Sequence, residues 1–200
     1  MIEDNKTQDL NERLRLIETM IAEGRRSTES WGWVFVLWGV AYYVAIVWAA
    51  HGGNVVAWPV TMTAAAIISG LTKGRRTRDR PATTIGRAIG SIWMAMGLSL
   101  FILLMALGWS GRLTDARLAI AIVAAMLGIA NLASSMILHW KVQFGIAVAW
   151  LVASVAVCYV ANNLVIPVFV GAIFLCQIVF GFYGMLREAR VRKLRGASHA

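Results

Sequence analysis

Six stretches of this 200-residue chain contain no Asp, Glu, Lys or Arg, and each is close to twenty residues long: 31–50, 55–72, 88–109, 118–138, 142–160 and 164–186. A hydrocarbon core about 30 Å thick takes roughly 20 helical residues to cross. Inside it a chain must satisfy its own backbone hydrogen bonds, which favours helices. Runs of this length and purity predict an all-α fold, a polytopic bundle of six transmembrane helices. The chain is 59% apolar and 14% charged, where a soluble domain has about 25% charged residues. Outside the runs lie residues 1–30, one basic loop, residues 187–200 and short turns. No soluble catalytic domain fits there, so residues 31–186 form a single membrane domain between a cytoplasmic segment and a basic tail.

Charge sets the expected orientation. Seventeen of the nineteen Lys and Arg residues fall on one side of the six-span topology, leaving Arg112 and Arg117 on the other. Cytoplasmic loops carry such an excess, so both termini are expected in the cytoplasm. A charged segment of 30 residues precedes the first run, unlike the short basic start of a cleavable signal peptide. The turns near 51–54, 111–117, 139–141 and 161–163 are short. Short links make consecutive helices antiparallel neighbours, and the chain reads as three helical hairpins. Trp38, Trp93 and Trp150 recur at spacings of 55 and 57, each about two turns inside the cytoplasmic end of an odd-numbered helix. Three copies of one hairpin unit would give this pattern. Trp31, Trp33, Trp140 and Tyr183 on one side, with Trp48, Trp58, Trp109 and Tyr159 on the other, match the aromatic belts of a bilayer interface. Pro59 and Pro167 are expected in first helical turns, where proline is tolerated.

Two cytoplasmic elements are candidates for interaction. Leu10, Leu14, Ile17 and Ile21 form one stripe on a helix expected over about residues 7–23. Residues 1–30 hold seven acids and five bases, whereas a helix lying on lipid usually has a basic polar face. The stripe therefore fits docking on protein, either a partner or a second copy. The loop Lys73, Arg75, Arg76, Arg78 and Arg80 suits anionic lipid head groups or an acidic partner. It lacks the interleaved aromatic residues that stack nucleic-acid bases.

Catalysis and active transport inside a membrane usually need ionisable groups at depth, and no run carries an acidic or basic residue. His51 and His139 are expected on opposite sides of the bilayer, and His199 lies in the tail. Cys158 and Cys176 differ in expected depth by roughly 10 Å, too far for the Cα separation of a disulfide. No phosphate loop, nucleophile elbow or zinc motif occurs. A non-enzymatic protein without a cofactor is the expectation. The polar groups at depth are amides and hydroxyls, among which Asn131, Ser134, Ser135 and Gln177 form a candidate intramembrane patch. They serve either as interhelical hydrogen-bonding groups or as the lining of a cavity for a neutral or weakly polar solute. Small residues four apart (Gly86 and Gly90, Ala124 and Gly128, Ala149 and Ala153) are expected at close helix crossings.

The segment Arg25-Arg26-Ser27-Thr28-Glu29-Ser30-Trp31-Gly32-Trp33, followed by Phe35, Leu37, Trp38 and Gly39, resembles the opening of uncharacterised bacterial six-span membrane proteins. In those an amphipathic helix with a basic end leads into a first span rich in Trp and Gly. The resemblance covers about residues 10–45. It implies a bacterial inner-membrane location and offers no catalytic residue to carry over. Many alanines, and Arg in large excess over Lys, fit a GC-rich bacterial genome.

Overall fold

The computed structural model describes residues 10–16, 18–19, 32–76, 84–112 and 115–197. Ile17 and Ile21 of the apolar stripe, Arg78 and Arg80 of the basic loop, Trp31 and His199 lie outside the described residues. Residues 10–16 and 18–19 are helical, and Leu10 and Leu14 are exposed there. Seven longer helices follow: α1 (Gly32–Trp48), α2 (Asn54–Arg76), α3 (Thr84–Trp109), α4 (Ala116–Leu138), α5 (Lys141–Tyr159), α6 (Asn162–Ile173) and α7 (Phe180–Ala197). A π-helical segment, Phe174–Val179, joins α6 to α7 in one rod. Between α1 and α2 the backbone breaks at His51 and Gly52, whose φ of +99° suits glycine. No strand occurs among the described residues.

Among the described residues five helices are long and apolar enough to cross a bilayer: Gly32–Gly52, Thr84–Trp109, Ala116–Leu138, Lys141–Tyr159 and Asn162–Arg190. The chain is thus an all-helical, multi-pass membrane protein. In α2 the apolar stretch is shorter, Val56–Thr72, about 25 Å at 1.5 Å per residue. Its helix continues through Lys73, Arg75 and Arg76. Absence of charge marks where hydrocarbon would lie, whereas backbone hydrogen bonding carries helices on into charged flanks. The same effect moves the prolines. Asn54 opens α2 and Asn162 opens α6, so Pro59 and Pro167 are sixth residues, inside their helices and past the first turn.

The α4–α5 pair forms the centre, with the most extensive contact in the bundle. The two helices run antiparallel. Ser154 Oγ donates to the carbonyl of Ala121 at 2.9 Å, and a Cβ added to Gly128 would stand 2.7 Å from Leu151 Cδ2. Ala124 and Ala147 are fully buried in this seam. Asp115 caps α4 by accepting the N–H of Arg117. His139 ends that helix in the left-handed conformation, and Trp140 N donates to Ser135 O at 3.0 Å. On one side of the pair, α1 packs against α7 and the π segment, and α2 packs on the outside of α1. α3 packs on α4, and its Trp93 also meets Phe35 of α1. Apart from these contacts it presents apolar residues outward, including Met94, Leu98, Phe101 and Ile102.

Aromatic residues knit the interior. Tyr42 stands 6.0 Å from both Trp58 and Phe169, and Trp150 stands 6.2 Å from Phe169. At the other end Phe35 meets Trp93 and Phe180 edge-on. Trp140 lies under Phe180, with the Arg187 guanidinium 5.9 Å from its ring. Of the aromatics expected near the interfaces, Trp58 and Trp140 turn inward. Trp58 packs against the core and Trp140 is buried, because α7 reaches past the α4–α5 turn and roofs it. Trp109 and Tyr159 are fully outward, as interfacial aromatics would be.

Candidate functional site

The polar side chains buried in the bundle are Asn131, Ser134, Ser135, Gln143 and Gln177. They enter from α4, α5 and the π segment. Contacts between the helices fix their relative depth. Gly128 packs at Leu151, so Asn131, three residues further along α4, is level with the turn of α5 around Ala147. Cys176 Sγ lies 3.9 Å from the carbonyl of Ile146, which places Gln177 at nearly the same depth. Gln143 is one turn away on α5, and Trp150 is one turn beyond Ile146 in the other direction. The whole layer is about 10 Å deep at 1.5 Å per residue.

Two of the four candidate residues have internal partners for their hydroxyls. Trp93 Nε1 donates to Ser134 Oγ at 3.1 Å, which ties α3 to α4. Ser135 Oγ donates to the Leu132 carbonyl of its own helix. The amides differ. Asn131 Nδ2 donates to Leu127 O at 2.9 Å, and its Oδ1 has no protein partner. Gln177 Oε1 has none either, nor does Trp150 Nε1. Gln143 is wholly enclosed, and neither end of its amide meets a protein group. A buried amide or hydroxyl without a hydrogen bond costs roughly 2–7 kcal/mol, depending on the reference state. Among the described residues, the buried side-chain groups that meet no protein partner all belong to this layer.

Sequence reading found Asn131 and Gln177 because they stand far from any charge. It missed Gln143. Two residues after Lys141, a glutamine reads as part of a wet helix end. Yet Gln143 is fully enclosed, and the nearby Trp140 is itself buried against Phe180 of α7. Trp150 offered a clue. Trp38 Nε1 donates to Ser69 Oγ at 3.2 Å, and Trp93 donates to Ser134. Both are tryptophans of odd-numbered helices reaching a serine on the next helix, and Trp150 is the third tryptophan of that spacing.

The Trp93–Ser134 bond is testable. Trp93→Phe and Ser134→Ala in a double-mutant cycle should show coupling of about 0.5–1.5 kcal/mol in detergent unfolding. Additive effects would mean that the bond contributes nothing beyond packing.

The remaining features give no second site. His51 and His139 lie at opposite ends of the bundle, since Trp140 packs beside Phe180 and Phe35 at the start of α1, whereas His51 follows α1. His51 Nδ1 is 2.8 Å from Val47 O. Cys158 is exposed and Cys176 buried, and both are free thiols. Among the described residues no three His, Cys, Asp or Glu side chains converge as metal ligands would. A shallow apolar groove of about 560 Å³ follows Tyr43, Val44, Val47, Trp48 and His51 on α1. It faces outward and does not reach the polar layer. Comparison with protein-family models, curated proteins and solved structures finds no match to this chain.

Proposed function

We propose that this chain is a non-enzymatic membrane module that binds a protein partner, or a second copy of itself, through its N-terminal helix. The observation that carries this reading is the exposure of the described part of the apolar stripe. Leu10 and Leu14 are 60% and 51% exposed on a helical segment, with acids around them in the sequence. Exposed leucines on a short mixed-charge helix are stabilised when another surface covers them. The basic residues Lys73, Arg75, Arg76, Arg78 and Arg80 offer a complementary charge to acidic protein or to anionic lipid heads. In this reading six spans form three hairpins, both termini face the cytoplasm of a bacterial cell, and the bundle sits in its inner membrane. A facilitator for a neutral solute is the other possibility. It needs Asn131, Ser134, Ser135 and Gln177 to line a passage. Their near-complete burial, and the bonds already made by Ser134 and Ser135, favour the docking module instead.

Deleting residues 1–24 tests the proposal. The truncated protein should remain in the membrane with an unchanged thermal midpoint in detergent, yet lose the co-purifying partner or oligomer. Association that survives the deletion would refute docking through this helix.

A further inference from the structure

We infer that the amide layer at the centre of the bundle is a closed binding site for small uncharged molecules that both donate and accept hydrogen bonds, water first among them. Asn131 and Gln177 lie at its mid-depth, with Gln143 and Trp150 about one helical turn to either side. The inference does not rest on the docking reading, and it assigns no passage through the membrane.

The chemistry of the unpartnered atoms points to such a ligand. Gln143 Nε2 and Trp150 Nε1 carry three N–H bonds between them, and Asn131 Oδ1, Gln143 Oε1 and Gln177 Oε1 are three amide oxygens. Donors and acceptors are balanced and no charge is present, so an ion has no counter-charge here. A neutral molecule with both functions is matched. All four side chains are at least nine-tenths buried, and all enter within about two helical turns of depth. In hydrocarbon such groups cannot turn to solvent, so each needs a partner inside the protein. Internal water meeting two to four polar groups is the ordinary way a fold supplies one.

Two local features agree. Gln177 sits in the π segment Phe174–Val179, a wider turn, and π insertions in helices recur at functional positions. The tryptophan pattern agrees independently. Trp38 and Trp93 give their N–H to serine hydroxyls on the following helix, while the N–H of Trp150 meets no protein group. A bound hydroxyl or water takes the place that serine fills twice elsewhere.

The test uses the full-length protein in lipid nanodiscs, labelled at its glutamine and tryptophan nitrogens, with water as the probe. Water-selective NMR should give transfer from water to the Trp150 indole N–H and to the Gln143 amide. Gln143→Leu should lose the Trp150 signal and lower the thermal midpoint, because it removes two of the ligand's partners and leaves the others. Absence of transfer at both native groups overturns the proposal, as does a raised midpoint in Gln143→Leu. Either result would describe a dry layer, with the amides paired directly or left unmet. Should Gln143→Leu fail to fold, transfer in the native protein decides alone.

Discussion

Gly32→Ala should lower the unfolding free energy in detergent by about 1–3 kcal/mol, and Gly181→Ala should do the same. The two glycines face each other where α1 meets α7. A Cβ on Gly32 would stand 2.5 Å from Gly181 O, and one on Gly181 would stand 2.6 Å from Gly32 O. Both obstacles are backbone atoms, which cannot swing aside, so the helices themselves must separate. About two turns further along α1, a Cβ on Gly39 would stand 3.0 Å from Gln177 Cβ. The crossing therefore continues into the polar layer. Gly97→Ala and Gly145→Ala are the controls, because nothing lies within 4 Å of either added methyl. Alanine favours a helix over glycine by up to about 1 kcal/mol, so these variants should be neutral or stabilising. Equal losses at all four positions would mean that backbone freedom, not the close crossing, governs the effect. The larger Gly181→Leu should disrupt the α1–α7 contact altogether, and loss of the intramolecular fold would show as aggregation on gel filtration.

That crossing also shows where sequence reading stops. The helical, membrane-crossing character follows directly from six uncharged runs, because charge and hydrocarbon exclude one another irrespective of neighbours. Helix ends were less legible: α2 continues through Lys73, Arg75 and Arg76, since hydrogen bonding does not stop where the bilayer does. Spacing by four picked out Gly128, which does meet α5 tightly. It passed over Gly32 and Gly181, which stand 149 positions apart in the chain and have their partners on each other's helix. No local pattern encodes a contact of that kind. Gln143 was illegible for a similar reason, since its full burial arises in the assembled bundle and has no mark in the neighbouring sequence. The π segment has no compositional mark at all, Phe174–Val179 being as apolar as its neighbours apart from Gln177. What sequence supplied was the solvent of each segment. Which faces meet is a property of the assembled bundle.

Arg117→Met should cost about 2–3 kcal/mol and loosen the α5–α6 turn. Arg117 is one of only two cations on the sparsely charged side of the sequence-based topology, and the structure gives a reason for its presence. Its guanidinium donates to the carbonyls of Val157 and Val160 and to Asn162 Oδ1, at 2.8 Å for Val160 and 2.6 Å for Asn162. The last carbonyls of a helix have no intrahelical donor, and a cation at that end also complements the helix dipole. One side chain from the start of α4 thus closes the end of α5 and holds the first residue of α6. Hydrogen bonds to a charged group contribute about 1.5–3 kcal/mol each when buried, and this half-buried site is partly open to solvent, so the three together contribute about 2–3 kcal/mol, well below their sum. Methionine keeps much of the apolar stem and removes the donors. Arg117→Lys retains the charge but cannot reach three acceptors with a planar fork, and should recover less than half of the loss. Amide exchange should rise at residues 158–164 in Arg117→Met and stay unchanged at the α4–α5 seam around Gly128 and Leu151. Full recovery by lysine would assign the effect to charge at the helix end alone, and unchanged exchange at 158–164 would remove the clamp from the account of how these three helices are held together.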